Sequence, residues 1–86
     1  IQLTKDLAMT ADGHCYIVGQ PRQRPDKGLL LDNPNIHTTV AQALRTAVQR
    51  ALRQGVADGT ITSLRQFIEE QERLRLDFEK LIAPLG

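Results

Sequence analysis

Residues 9–18, Met9-Thr10-Ala11-Asp12-Gly13-His14-Cys15-Tyr16-Ile17-Val18, decide whether this chain is all-helical or mixed. Asp12-Gly13 is a dipeptide favoured in two-residue hairpin turns, because Gly accepts positive φ freely and Asp tolerates it better than most residues. His14 to Val18 resumes an extended run of β-favouring residues. Upstream, Ile1, Leu3, Leu7 and Met9 alternate with a period of two, broken only at Lys5, which reads as a strand. An antiparallel hairpin therefore opens the chain, and the helices that follow make the fold class α+β.

Past the hairpin, residues 20–28 hold Pro21, Pro25 and several charges ahead of Gly28, with no apolar period, and read as a mobile loop. Leu29, Leu30 and Leu31 read as a third short strand. Asp32-Asn33-Pro34-Asn35 closes it, since each of those residue types favours turns over both helix and strand. A small antiparallel sheet is thus expected within residues 1–36.

Two helices complete the single domain that 86 residues have room for. The first is expected over 38–54, capped by Thr38 or Thr39 and stopped at Gly55. At 100° per residue, Val40, Leu44, Ala47, Val48, Ala51 and Leu52 share one face, with Arg45, Gln49, Arg50 and Arg53 on the other. The second is expected over 63–83: Ser63 and Gln66 form a capping-box pattern, and Pro84 ends the helix. Along it, Leu64, Phe67, Gln71, Leu74, Phe78, Leu81 and Leu85 step by three and four, flanked by Ile68 and Ile82, in the manner of a heptad seam. Twenty residues rise about 30 Å, longer than a small sheet covers. Part of this seam, namely Phe67, Gln71, Leu74, Phe78, Leu81 and Leu85, is therefore expected to pack on a partner or on a second copy as a homodimer.

Composition narrows the function classes. A net charge of +1 removes the general electrostatic case for nucleic acid or an anionic membrane. Aromatic residues make up only 3% of the chain, so the core rests on aliphatic side chains. No apolar run approaches the length of a membrane span. The single cysteine, Cys15, has no intramolecular partner and no signal core is evident, which makes the cytoplasm the default compartment.

Chemistry-bearing residues are sparse. His14, Cys15 and His37 are the soft-ligand candidates, yet neither a paired-Cys spacing nor a helical His pair is present, and His14 and Cys15 are neighbours that point to opposite faces of a strand. No metal and no cofactor are expected. Cys15 with His37 is the best nucleophile and base pair on offer, but a strand cysteine ordinarily packs as a small hydrophobe. Glu69, Glu70 and Glu72 stand among Arg73 and Arg75, which reads as surface ion pairing and not as acid/base chemistry. Gly13, Gly19 and Gly28 are too scattered to cradle a phosphate, and no small-molecule substrate is expected. The polar surface with the strongest claim to binding is arginine-rich: Arg45, Arg50 and Arg53 on the first helix, extended by Arg22 and Arg24 of the loop. A strand followed by two helices also suggests ribbon-helix-helix DNA binding, but the leading hairpin has no place in that fold.

Four stretches, Leu3-Thr4-Lys5-Asp6-Leu7-Ala8-Met9-Thr10-Ala11-Asp12, Tyr16-Ile17-Val18, Thr39-Val40-Ala41-Gln42-Ala43-Leu44 and Ser63-Leu64-Arg65-Gln66-Phe67-Ile68, resemble in kind and order the segments of a family of small proteins encoded by bacteriophages and prophages. Ile36, His37 and Thr38 stand where that family carries aromatics and a proline. The resemblance implies a short phage or prophage product acting in the cytoplasm of a bacterial host, and it brings no catalytic residues. The expectation is a non-catalytic interaction protein that binds a host macromolecule, for takeover or anti-defence. The alternative is a small nucleic-acid-binding regulator using the arginine face of the first helix.

Overall fold

The computed structural model describes the backbone of residues 1–24 and 28–85 and the side chains of 1–22 and 31–84. Four strands, β1 (Gln2–Thr4), β2 (Leu7–Ala11), β3 (Tyr16–Arg24) and β4 (Gly28–His37), form one antiparallel meander in sequential order. They lead into α1 (Val40–Ala57), α2 (Leu64–Ile82) and a closing 3-10 turn, Ala83–Leu85. The class is α+β, with four strands where the sequence suggested three.

The additional strand comes from the N-terminus. Residues 1–9 are not one strand: the chain reverses at Lys5-Asp6, where Asp6 N donates to Thr4 Oγ1 at 3.1 Å, and Thr4 pairs with Leu7. Pairing is irregular between Gln2 and Thr4, so that Leu3 and Leu7 both reach the core. The one break in the apolar alternation, at Lys5, falls on this reversal, and because the period of two resumes in phase at Leu7 the pattern reads as a single strand.

Asp12-Gly13 marks a reversal, as read, but not a two-residue turn. Ala11 pairs with Tyr16 across a loop of four residues, Asp12 to Cys15. One carboxylate oxygen of Asp12 accepts from His14 N and from Cys15 N, each at 2.7 Å, an Asx-type device that organises the loop through a side chain instead of a left-handed glycine.

The largest departure is at residues 20–35. Gln20 to Arg24 extend β3 and Gly28 to His37 form a ten-residue β4, paired from Tyr16–His37 to Arg24–Gly28, so the expected mobile loop is a hairpin. Residues 25–27 of that expected loop lie outside the described residues. Asp32-Asn33-Pro34-Asn35 does not end the strand either. Val18 pairs with Asn35 and Gln20 with Asp32, so Gly19 alone faces Asn33 and Pro34 across a β-bulge. Asn33 takes the left-handed conformation there, φ 49°. A Cβ on Gly19 would stand 2.8 Å from Leu31 Cβ and 3.0 Å from the Asp32 carbonyl oxygen, so the close approach requires glycine. Turn-type residues therefore signalled a bend within a strand, not its end.

Arg50 of α1 completes this bulge. Its Nη1 lies 2.8 Å from the Asn33 carbonyl oxygen, 3.0 Å from Asn35 Oδ1 and 3.2 Å from the Val18 carbonyl oxygen. Carbonyls that the bulge turns out of the ladder thereby gain a charged donor, which is worth more than a neutral one.

Both helices start at side-chain caps. Thr39 Oγ1 accepts from Gln42 N at 3.2 Å and Ser63 Oγ from Gln66 N at 3.1 Å. Gln66 returns its carbonyl oxygen to Thr62, accepting from N at 2.7 Å and from the hydroxyl at 2.9 Å, one residue earlier than a capping box requires. α1 does not stop at Gly55. It runs to Ala57, because Gly55 is buried where a Cβ would meet Ile61 Cδ1 at 2.7 Å, and the left-handed residue after the helix is Gly59, φ 84°.

α1 lies over β3 and β4 and against α2. Met9, Val18, Ala47, Leu52, Leu74, Phe78 and Ile82 meet in one buried cluster with Leu3 and Leu7. Phe78, 2% exposed, is its largest member. Phe78→Ala is expected to lower stability by about 3–5 kcal/mol, close to all that so small a domain has, read as a collapse of the urea midpoint. Arg50→Met, leaving the bulge carbonyls unsatisfied, is expected to lower it by about 1–3 kcal/mol in the same titration.

Candidate interaction surfaces

The heptad seam expected to face a partner is divided by the fold. Leu74 and Phe78 are buried within the chain and Phe67 is half-buried against the same core, so these three are not a free interface. Gln71 and Leu81 remain exposed, and the Leu85 side chain lies outside the described residues. The error has a physical source: α2 uses its a and d positions to pack on the sheet and on α1, as any amphipathic helix of a two-layer domain does. The apolar side chains left outside are Leu64 (75% exposed), Ile68 (57%) and Leu76, with Val56 (52%) at the end of α1.

Val56 lines a groove between the two helices, and Leu64 shares the adjoining hollow with Val56 and Phe67. One section, of about 560 Å³, is lined by Gln49, Leu52, Arg53, Val56, Phe67 and Gln71. A second, of about 350 Å³, continues from the shared Gln49 and Gln71 to Leu44, Arg45, Val48 and Arg75. Its floor is apolar and its edges carry guanidinium and amide groups, the composition of a protein-binding surface.

The five arginines expected to form one polar face do not. Arg45 and Arg53 are exposed on α1 and have no ion-pair partner among the described residues. Arg50 is turned inward to the bulge, a position the helical wheel assigned to solvent because it took no account of a sheet reaching that side. Arg22 stands on β3 and pairs with Asp32 at 3.7 Å. The Arg24 side chain lies outside the described residues.

α2 is braced by its own charges. Arg73 bridges Glu70 and Asp77, the latter at 2.9 Å, and Arg75 bridges Glu72 at 2.6 Å and Glu79 at 2.9 Å. These guanidinium hydrogen bonds hold the carboxyls of Glu70 and Glu72 below the usual carboxylate range. Being exposed, such pairs each contribute a few tenths of a kcal/mol.

The sheet presents a second apolar surface. Val18 points to the helices, so Ile17 points to the opposite face, where it pairs across the ladder with Ile36, which is 63% exposed, and stands beside Thr10. Sequence periodicity missed this patch because Asp32-Asn33-Pro34-Asn35 was read as closing the third strand, which left Ile36 just beyond it with no strand partner for Ile17.

The soft-ligand residues are not gathered. His37 Nε2 is 2.7 Å from Thr46 Oγ1, an anchor between β4 and α1, while Cys15 is half-buried in the Asp12 loop. Among the described residues, no three His, Cys, Asp or Glu side chains form a metal-binding group, and no helix is long and apolar enough to cross a membrane.

Compared with protein-family models, with curated proteins and with solved structures, the chain finds no match.

Carboxylates that accept hydrogen bonds set a pH dependence. Backbone donors at His14 and Cys15 lower the Asp12 pKa, and the N–H and hydroxyl of Thr60 lower that of Asp58. A carboxyl depressed in the folded state stabilises it above the unfolded pKa and loses that contribution as pH falls through the folded one. The melting temperature is expected to be level above about pH 5 and to fall between about pH 4 and 2. In scanning calorimetry the double variant Asp12→Ala, Asp58→Ala is expected to show a shallower fall.

Proposed function

We propose that the chain is a non-catalytic interaction protein of the phage or prophage kind, which binds a host macromolecule in takeover or anti-defence. The observation that carries this reading is the placing of large apolar side chains on both outer faces of a two-layer domain: Ile17 and Ile36 on the sheet, Val56, Leu64 and Ile68 on the helices. Burying one fully exposed aliphatic side chain is worth about 1.5–3 kcal/mol, so each patch supplies a binding increment that water does not. The patch on the open sheet face is assigned to the host partner. It lies between the two edge strands of the sheet, β1 and β4, and beside a hairpin that lengthens the surface past the bulge.

The second reading, nucleic-acid binding, has one observation in its favour: Arg45 and Arg53 are exposed and without carboxylate partners among the described residues. It is weakened by the loss of Arg50 to the bulge and by the Arg22–Asp32 pair.

The two readings separate in a capture experiment from bacterial lysate, with and without nuclease. Wild-type protein is expected to retain a stoichiometric host protein after nuclease treatment, and Ile36→Glu is expected to lose it while keeping its circular dichroism and melting temperature. Equal retention by Ile36→Glu defeats the assignment to the sheet face. Retention that disappears with nuclease, together with anisotropy on labelled DNA or RNA that weakens steeply with salt, replaces it with the nucleic-acid reading.

A further inference from the structure

We propose that the outer face of the helical pair is closed by a second copy of this chain, with α1 of each protomer laid on α2 of the other. This association is separate from the host-binding sheet face and stands on different residues.

Charge selects the occupant. α1 contains three arginines and no acidic residue. With Arg50 turned to the bulge, Arg45 and Arg53 face outward unneutralised among the described residues. α2 carries five carboxylates against four cations, and Glu69, beside the exposed Ile68, stands outside its ion pairs. Arg65 and Lys80 of α2 are also without an ion-pair partner among the described residues, so the complementary pair that this surface offers is Arg53 of α1 with Glu69 of α2. A face carrying that pair is complementary to itself when α1 of each copy meets α2 of the other.

The fold then fixes the symmetry. Two copies meeting face to face are related by a two-fold axis lying in the interface. An axis across the helices sets α1 on α1 and, centred on Gln49, brings Arg53 over Arg45 of the other protomer, a like-charge contact. An axis along the helices sets α1 on α2 of the other protomer at the same height. The groove gives that height: Arg53 and Val56 line it with Phe67 and Gln71. Arg53 therefore meets Glu69 of the other protomer, Arg45 comes to the height of Arg75, whose charge is already offset by its own Glu72 and Glu79, and Leu64 and Ile68 enter the groove over Leu52 and Val56. Each contact occurs twice.

The size is adequate. Helices of 18 and 19 residues rise about 27 Å and, side by side, span about 20 Å. That corrugated footprint is of the order of the ~800 Å² per partner of a standard interface.

Sedimentation velocity from about 1 to 200 µM tests the arrangement on wild type, Ile68→Glu, Arg53→Glu, Glu69→Arg, an equimolar mixture of the last two, and the double variant Arg53→Glu, Glu69→Arg. All changes are on exposed side chains, and unchanged urea midpoints establish that each protein is folded. Wild type is expected at twice the chain mass. Ile68→Glu is expected to weaken association at least a hundredfold, and each single charge reversal about tenfold. The mixture and the double variant, in which both pairs are again of opposite sign, are expected to return to within about threefold of wild type. A wild type that stays monomeric throughout overturns the proposal and leaves the groove to a helix of another protein. A dimer indifferent to Ile68→Glu, or one that the mixture does not restore, overturns it as well. None of these outcomes touches Ile36, so failure here is distinct from failure of host binding.

Discussion

One guanidinium holds the two layers of this protein in register. Arg50 reaches from the middle of α1 to the carbonyls that the bulge at Gly19, Asn33 and Pro34 turns out of the sheet. Without that donor the part-buried Val18 carbonyl of β3 loses its charged partner, at a cost of the order of a kcal/mol, and the Asn33 carbonyl of β4 is left to solvent. With it, the bulge bends β4 toward α1, His37 meets Thr46, and Thr39 is delivered to cap the helix that supplies Arg50. Helix, cap and bend thus depend on one another. A strand otherwise too irregular to continue runs to ten residues.

That mutual dependence also explains what the amino-acid sequence discloses and what it withholds. The class, both helices and the Asp12 reversal follow from local signals: Thr39 and Ser63 as caps, apolar periods of two and of about 3.6, and an Asp-Gly pair. Helix ends shifted where a glycine served packing. Gly55 looks like a stop but is the point at which Ile61 comes closest, and Gly59, four residues on, holds the left-handed φ. Asp32-Asn33-Pro34-Asn35 looks like a strand breaker because its turn chemistry is real, while the arginine that keeps the strand going lies in a different element. No window of neighbouring residues contains both. Interaction surfaces were the least legible. An amphipathic stripe states how much apolar surface a helix has, not which part its own chain covers, so Leu74 and Phe78 read as interface although they are core.

Thinness governs the rest. The molecule measures 41 × 28 × 18 Å, two layers with one shared interior, and most of its buried aliphatic groups line that single seam. Most of the described residues outside the seam face outward on one side or the other. A domain built this way offers two broad faces for its length. The exposed Ile36 and the exposed Ile68 follow from this geometry as directly as the buried Phe78 does.

The hairpin beyond the bulge has its own significance. Between Val18 and Ala43, no described residue belongs to the buried apolar cluster, and the bulge seals the core off from the strands that continue past it. Its described side chains, the Arg22–Asp32 pair among them, therefore add nothing to that cluster, and the arm projects from the body held by backbone pairing.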